Sequence, residues 1–191
     1  MDLKGVPNLV RAYETLEELF PSRSILIASP PEHAMVVRDS LAAKGTTYEL
    51  LLCQTTDPNS FLEALTPYLK KFESFFIHDA SRPLTSLEQM ERVLSAFTKD
   101  VDAVRPAIAF TETLKILGDS SQVIQTLDRT SVRRVSSPEM IRCSMVEVGA
   151  KDESWFLPLQ NIARREYIEG TPLGQRINTN ADRDLMEFFL D

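Results

Sequence analysis

The sequence predicts an α/β fold, a doubly wound sheet carrying an antiparallel hairpin arm. Three observations point to it. Short apolar runs alternate with amphipathic helical stretches as far as Phe110, the pattern of parallel β-α-β units with helices on both faces. The alternation stops there, and TLKILGDSSQVIQTL offers two extended runs around a Gly118-Asp119-Ser120-Ser121 turn. At 191 residues with 43% hydrophobic content the chain can bury one full core, so one domain over 1–191 is expected, with the arm at about 111–136.

Each element has its own signal. From Pro7 to Phe20, Leu9, Tyr13, Leu16 and Phe20 fall at helical spacing, and Pro7 suits a first turn. SILIAS, 24–29, reads as a buried strand and is expected centrally, beside the strand that ends in HDASRP. Pro31 opens a helical stretch that Gly45 closes, and YELLLC, 48–53, is strand-like. Asp57 before Pro58 makes a cap and first turn for a helix to about Lys71. The run FFIHDASRPL, 75–84, is a strand that ends in His78, Asp79, Ser81 and Arg82 before Pro83 turns the chain. Ser86 with Gln89 predicts a capping box for a helix over Leu87–Phe97. DAVRPAIAF, 102–110, is again strand-like, and Asp182–Leu190 reads as a closing helix. A hairpin is marginal alone in water, so the arm is expected to pack on its own domain or on a partner subunit.

Composition removes several function classes. A formal charge of −7 and a pI near 5.0 leave no electrostatic footprint for duplex nucleic acid, although a local basic pocket can take a small anion. Cys53 and Cys143 lie in apolar neighbourhoods without CxxC or His spacing, which suits core residues in a reducing compartment. MDLKGVPNLV has no signal-peptide pattern and no apolar run reaches the length of a membrane span, so a soluble cytoplasmic protein without membrane partners is expected. With six glycines the chain has no GxGxxG and no GxxxxGKS, and it lacks GxSxG and HExxH.

The chemistry-bearing residues gather at one strand end. Open α/β sheets bind ligands just beyond the carboxyl ends of their strands. There Asp79 can hold a hydrated metal or a sugar hydroxyl while Arg82 meets an anion; an internal Asp–Arg pair that fixes the loop explains the same spacing. His78 reads as a hydrogen-bonded structural residue or as a base. Lys115, Asp128, Arg129, Arg133 and Arg134 form either a solvated face or a phosphate clamp. Trp155 in SWFLPL reads as core or interface, because nothing basic and aromatic is interleaved around it.

The motifs HDASRPL, DAVRPAIAFTETLK and TLDRTSVRRVSSPEM, in this order, resemble those of the 2-C-methyl-D-erythritol 4-phosphate cytidylyltransferases, and RINTNADRDLMEFFL matches that family's ending more loosely. The resemblance implies a Rossmann-like nucleotidyltransferase fold with a mixed, mainly parallel sheet, and a homodimer joined through the arm. It places Asp79 near the metal, Mg²⁺, and near the ribose and sugar phosphate. Thr113 would contact methylerythritol phosphate, Arg129 and Ser137 would reach that phosphate in the neighbouring subunit's site, and Arg82 would support the loop. The family reaction so implied is CMP transfer from CTP to a sugar-alcohol phosphate.

The departures fall on the nucleotide side. LKGVPNLVRAYETL resembles the family segment that follows its first strand, glycine loop and catalytic lysine. QTTDPNSFLEALTPYL stands where the family has a glycine pair and an arginine, no lysine matches the second catalytic lysine near Arg176–Asn178, and Glu139 replaces a glutamine. Phosphoryl transfer rests on positioned positive charge and backbone donors, and one such element lost typically costs about 10²–10³ in rate. The expectation is therefore a family-like protein with lost or much weakened transfer and CTP as a doubtful ligand. The alternatives are a non-catalytic dimeric binding or regulatory protein, or an active transferase completed by a partner or by an N-terminal segment.

Overall fold

The computed structural model describes residues 1–149 and 155–190. A short hairpin, β1 (Asp2–Leu3) and β2 (Val6–Pro7), leads into α1 (Asn8–Glu17). Gly5 at its turn takes φ 74°, the left-handed region that glycine enters without steric cost. Three α/β steps follow: β3 (Leu26–Ser29), α2 (Ala34–Ala42), β4 (Glu49–Leu52), α3 (Pro58–Leu69), β5 (Ser74–Ile77) and α4 (Leu87–Ala96). Then come β6 (Ala103–Ala109), the arm strands β7 (Lys115–Leu117) and β8 (Val123–Thr126), β9 (Arg133–Val135), β10 (Glu139–Arg142), β11 (Arg165–Glu169) and α5 (Asn180–Glu187).

The α/β class holds, and the sheet is more mixed than the early alternation alone indicates. The main sheet runs β11-β6-β10-β5, with β9 also on β6. β11 is parallel to β6, whereas β10 is antiparallel to both β5 and β6 and lies between them. β5, β6 and β11 therefore share one direction. β3 and β4 form a separate parallel pair. The expected place of SILIAS beside the HDASRP strand is thus corrected: β3 pairs with β4, and β5 pairs with β10. Periodicity marks a strand but not its neighbour, and EMIR at β10 takes the position next to β5 through a long return from the arm.

Burial explains the layering. Phe61, Leu62 and Leu65 of α3 pack with Ala103, Ile141, Leu157 and Leu159 on one face of the main sheet. Val93 of α4 packs with Val101 and Val104 on the other face. Tyr13 of α1 and Leu41 of α2 cover β3 through Ile25 and Ile27. Leu3 closes on Ile177 and Met186, which fastens β1 to α5. Cys53 and Cys143 are buried free thiols, as their neighbourhoods predict, and burial pushes the Cys143 thiol up to about 11.

One cap differs from expectation. The Asp57 carboxylate accepts from Asn59 N at 2.9 Å and starts α3 as predicted. Ser86 Oγ accepts from Gln89 N, but the Gln89 side chain is fully buried and turns to other partners, so the capping box is only half formed. At the end of the chain Thr179 caps α5: its hydroxyl accepts from Asp182 N while Asp182 Oδ2 accepts from Thr179 N, a reciprocal box. The helix begins at Asn180, ahead of the expected Asp182, because the Thr179 cap sets its start, and of its apolar residues Met186 is buried while Leu185 is exposed.

Candidate functional site

The loop after β5 is held by internal pairing, one of the two readings of its spacing. Asp79 Oδ1 accepts from Ser81 N at 2.9 Å and from Ser81 Oγ at 2.6 Å. Its other oxygen lies 3.5 Å from Arg82 Nε and 3.1 Å from Arg176 Nε. Arg82 is further fixed by Nη1, which donates to Gly174 O at 2.6 Å and to Ser136 Oγ at 3.3 Å. The internal Asp–Arg pair is therefore present, and a second guanidinium joins it from a residue far away in sequence.

His78 and Ser137 stand beneath this loop. Ser137 Oγ meets His78 Nδ1 at 2.9 Å and accepts from Asp79 N at 3.2 Å. Burial drives the His78 pKa from 6.5 down to about 4, outweighing the nearby Asp79 carboxylate that pulls it up, so the ring is neutral at physiological pH. That matches the hydrogen-bonded structural reading of His78. Ser137 is 1% exposed and lies between β9 and β10, bonded to the chain's own Asp79 loop.

Thr113 and Arg129 form a second group at the root of the arm. Both are exposed, and Arg129 donates to Thr111 O. No hydrogen bond or ion pair joins either of them to Asp79 among the described residues. Lys115 bonds Thr126 across the hairpin, and Asp128 accepts from Thr130 N as a turn cap, so these two serve the arm. Arg133 is tied to the carbonyls of Thr130 and Val132.

Sequence reasoning missed the residues that hold the loop together. Gln89, 0% exposed, donates to Ser137 O at 3.0 Å and accepts from Thr171 N at 2.7 Å, which couples α4 to both site loops. Gly174 is needed for close approach: a Cβ there would sit 2.8 Å from Ser136 Oγ and 3.1 Å from Gln89 Nε2. Arg105 and Glu139 form a buried ion pair at 2.6 Å, with the guanidinium 4.9 Å from the Trp155 ring centre. Trp155 is thus a core residue, as one of its readings held; Ser154 of the same run lies outside the described residues. A glutamine on the apolar face of α4 beside Met90 and Val93 was the available signal for Gln89. Nothing local marks Arg105 and Glu139, which meet only through β6–β10 pairing.

The electrostatics favour an anion over a cation. Burial lowers the Arg82 pKa, Asp79 opposes that, and Arg176, Arg105 and Arg134 all press on it as like charges. Arg176 is half exposed, and its Nη groups make no hydrogen bond or ion pair among the described residues. Arg134 on β9 is exposed in the same way. Among the described residues no group of three or more His, Cys, Asp or Glu could hold a metal. Mg²⁺ needs carboxylate oxygens free to bind it, and both Asp79 oxygens are engaged, so the residues present do not fit a resident metal.

Comparison with known proteins gives the lineage. The 2-C-methyl-D-erythritol 4-phosphate cytidylyltransferase family model matches residues 1–154. The chain is similar to the enzyme of that name from Dictyoglomus thermophilum, 22% identical over 202 residues, covering 100% of this chain and 87% of the relative. It is also similar to the one from Frankia casuarinae, 29% identical over 140 residues, covering 73% of this chain and 52% of the relative. The chain thus spans about half the length of the first curated relatives it matches. In fold it resembles 4-diphosphocytidyl-2C-methyl-D-erythritol synthase from Anaerococcus prevotii, TM-score 0.77 at 20% identity, covering 100% of this chain and 91% of that one. The cytidylyltransferase from Thermus thermophilus gives 0.69 at 18%, covering 98% and 90%. No helix among the described residues is long and apolar enough to cross a membrane. The order of the motifs, the armed strand end and the family match over four-fifths of the length agree: the chain belongs to the 2-C-methyl-D-erythritol 4-phosphate cytidylyltransferase family.

Proposed function

We propose that this family member binds a small phosphorylated polyol at the arginine-rich loop beyond β5 and transfers CMP weakly or not at all. The observation that carries this reading is the state of Asp79, whose carboxylate is already shared by Arg82, Arg176 and Ser81. A metal held by Asp79 would have to compete with Ser81, Arg82 and Arg176 for its carboxylate. A phosphate makes no such demand, since the outer Nη groups of Arg176 can meet its oxygens while Nε keeps Asp79. Arg134 adds a second exposed cation on the same side, and Thr113 and Arg129 supply further donors if a second subunit brings its arm across.

The arm supports a homodimer as part of this reading. Ile116, Leu117, Val123 and Ile124 are all exposed on a hairpin that cannot stabilise itself in water. Cytoplasmic localisation is part of the same proposal.

Calorimetric titration with CTP and Mg²⁺, then separately with methylerythritol phosphate, tests the reading. Heat with the sugar phosphate and none with CTP is the expected result, and Arg176→Ala should weaken the first by about 10-fold or more, the scale of one lost charge-assisted contact. CTP turnover at ordinary enzymatic rates would defeat it.

A further inference from the structure

β3 and β5 lie in one layer, yet no backbone hydrogen bond joins them among the described residues. Their side chains show the shared layer. On one face Leu26 and Ala28 of β3 pack into the same cluster as Phe75 and Ile77 of β5. On the other, Phe20, which packs with Ile25 and Ile27, meets Phe76 of β5 at 5.2 Å between ring centres. The sheet is covered above and below but interrupted between these two strands.

The directions of the backbone groups follow from the ladders. Cys53 N donates to Ser29 O at 3.0 Å, so Ile27 and Ser29 face β4 while Leu26 and Ala28 turn their N–H and C=O groups away from it. Cys143 N donates to Glu73 O at 2.9 Å, so Phe75 and Ile77 face β10 while Ser74, Phe76 and His78 turn theirs away. These outward groups make no backbone hydrogen bond among the described residues. Backbone donors and acceptors left without partners beside apolar cover are costly.

We propose that the interval between β3 and β5 accepts one extended strand from a second polypeptide. An extended backbone is the one shape that presents donors and acceptors to two facing strand edges at once, so the hydrogen-bonding pattern of the edges specifies the occupant. Its side chains would point into apolar surroundings on both faces, which requires an apolar, β-branched segment of the kind found in buried strands. Each flanking strand has four residues, so a segment of similar length fills the site. This chain has no spare strand to offer among the described residues, because β1 pairs with β2 and β7 with β8, and the remaining strands lie in the two sheets already described. The proposal does not depend on any ligand at Asp79.

Amide hydrogen exchange on the intact protein, without nucleotide or sugar phosphate, is the first test. Ala28, Phe76 and His78 should exchange much faster than their neighbours Ile27 and Phe75. Equal protection in a monomeric sample would overturn the proposal, since the chain would then have closed the interval itself. Equal protection together with self-association would assign the site to a second copy of this chain and would overturn the choice of a different partner. The second test uses a lysine-flanked peptide with the core Val-Ile-Val-Ala-Val. It should bind and slow exchange at Ala28, Phe76 and His78, and N-methylation of alternate core amides should weaken it by about 10-fold or more. Equal binding of the methylated peptide, or no binding of either at millimolar concentration, would sink strand insertion. Neither result bears on the sugar-phosphate titration, so the two readings fail separately.

Discussion

At the residue scale, His78 shows how the site trades reactivity for order. Its Nδ1 is taken by Ser137 Oγ, its Nε2 is buried, and its pKa is held near 4 by burial. The consequence for stability has a definite sign. Above pH about 6.5 the ring is neutral in both folded and unfolded chains and costs nothing. As pH falls below that, the unfolded chain takes up a proton that the folded chain resists until about 4, so stability drops across this window by about 3 kcal/mol in all. Asp102, whose pKa is lowered by its Arg164 contacts against the opposing effect of burial, also destabilises the fold on protonation, but equally in a His78→Asn variant. Urea titrations of both proteins at pH 7 and pH 4.5 should show a steeper acid loss for the native chain. Parallel losses would mean that His78 is not buried as described.

At the element scale, the arm is where sequence and structure agree most closely. The turn at Gly118–Ser121 and both short strands were legible because turn residues and alternating character are local signals. Its four exposed apolar side chains make a testable interface. Ile124→Asp should convert a dimer to monomers at micromolar concentration while changing fold stability by no more than about 0.5 kcal/mol, since Ile124 is 63% exposed in the single chain. Sedimentation velocity reads the first effect and urea denaturation the second; a native protein that sediments as a monomer would remove the arm from any shared site. Among the elements that pattern could not reach are β10 and β11. EMIR and REYIE mix charge with apolar residues because Glu139 is buried against Arg105, while β11 is largely exposed along an edge. Asp79 and Arg82 were legible at the armed strand end and Ser137 only through motif resemblance, but Arg176, Gln89 and Gly174 make contacts that span many tens of residues, and no spacing rule records such contacts.

At the scale of the whole molecule, the missing ladder between β3 and β5 divides the chain energetically. α1, α2, β3 and β4 surround a core built from Tyr13, Ile25, Ile27, Val37 and Leu41. The main sheet holds its own cores on both faces, and the link between the two parts is made by side chains. Side-chain contact is non-directional and tolerates small displacements, whereas a hydrogen-bonded ladder breaks cooperatively. The β3–β4 part should therefore open as a unit at lower free energy than the β5-β10-β6-β11 sheet. Native-state hydrogen exchange at increasing urea distinguishes the cases: amides of Ile27 and Leu51 should converge on one opening with a shallow urea dependence, and those of Val104 and Ile141 on a second, steeper and costlier one. A single opening shared by all four would show that side-chain packing alone makes the molecule one cooperative unit. If an added strand fills the interval, the two openings should merge, because the ladder would then run unbroken from β4 to β11.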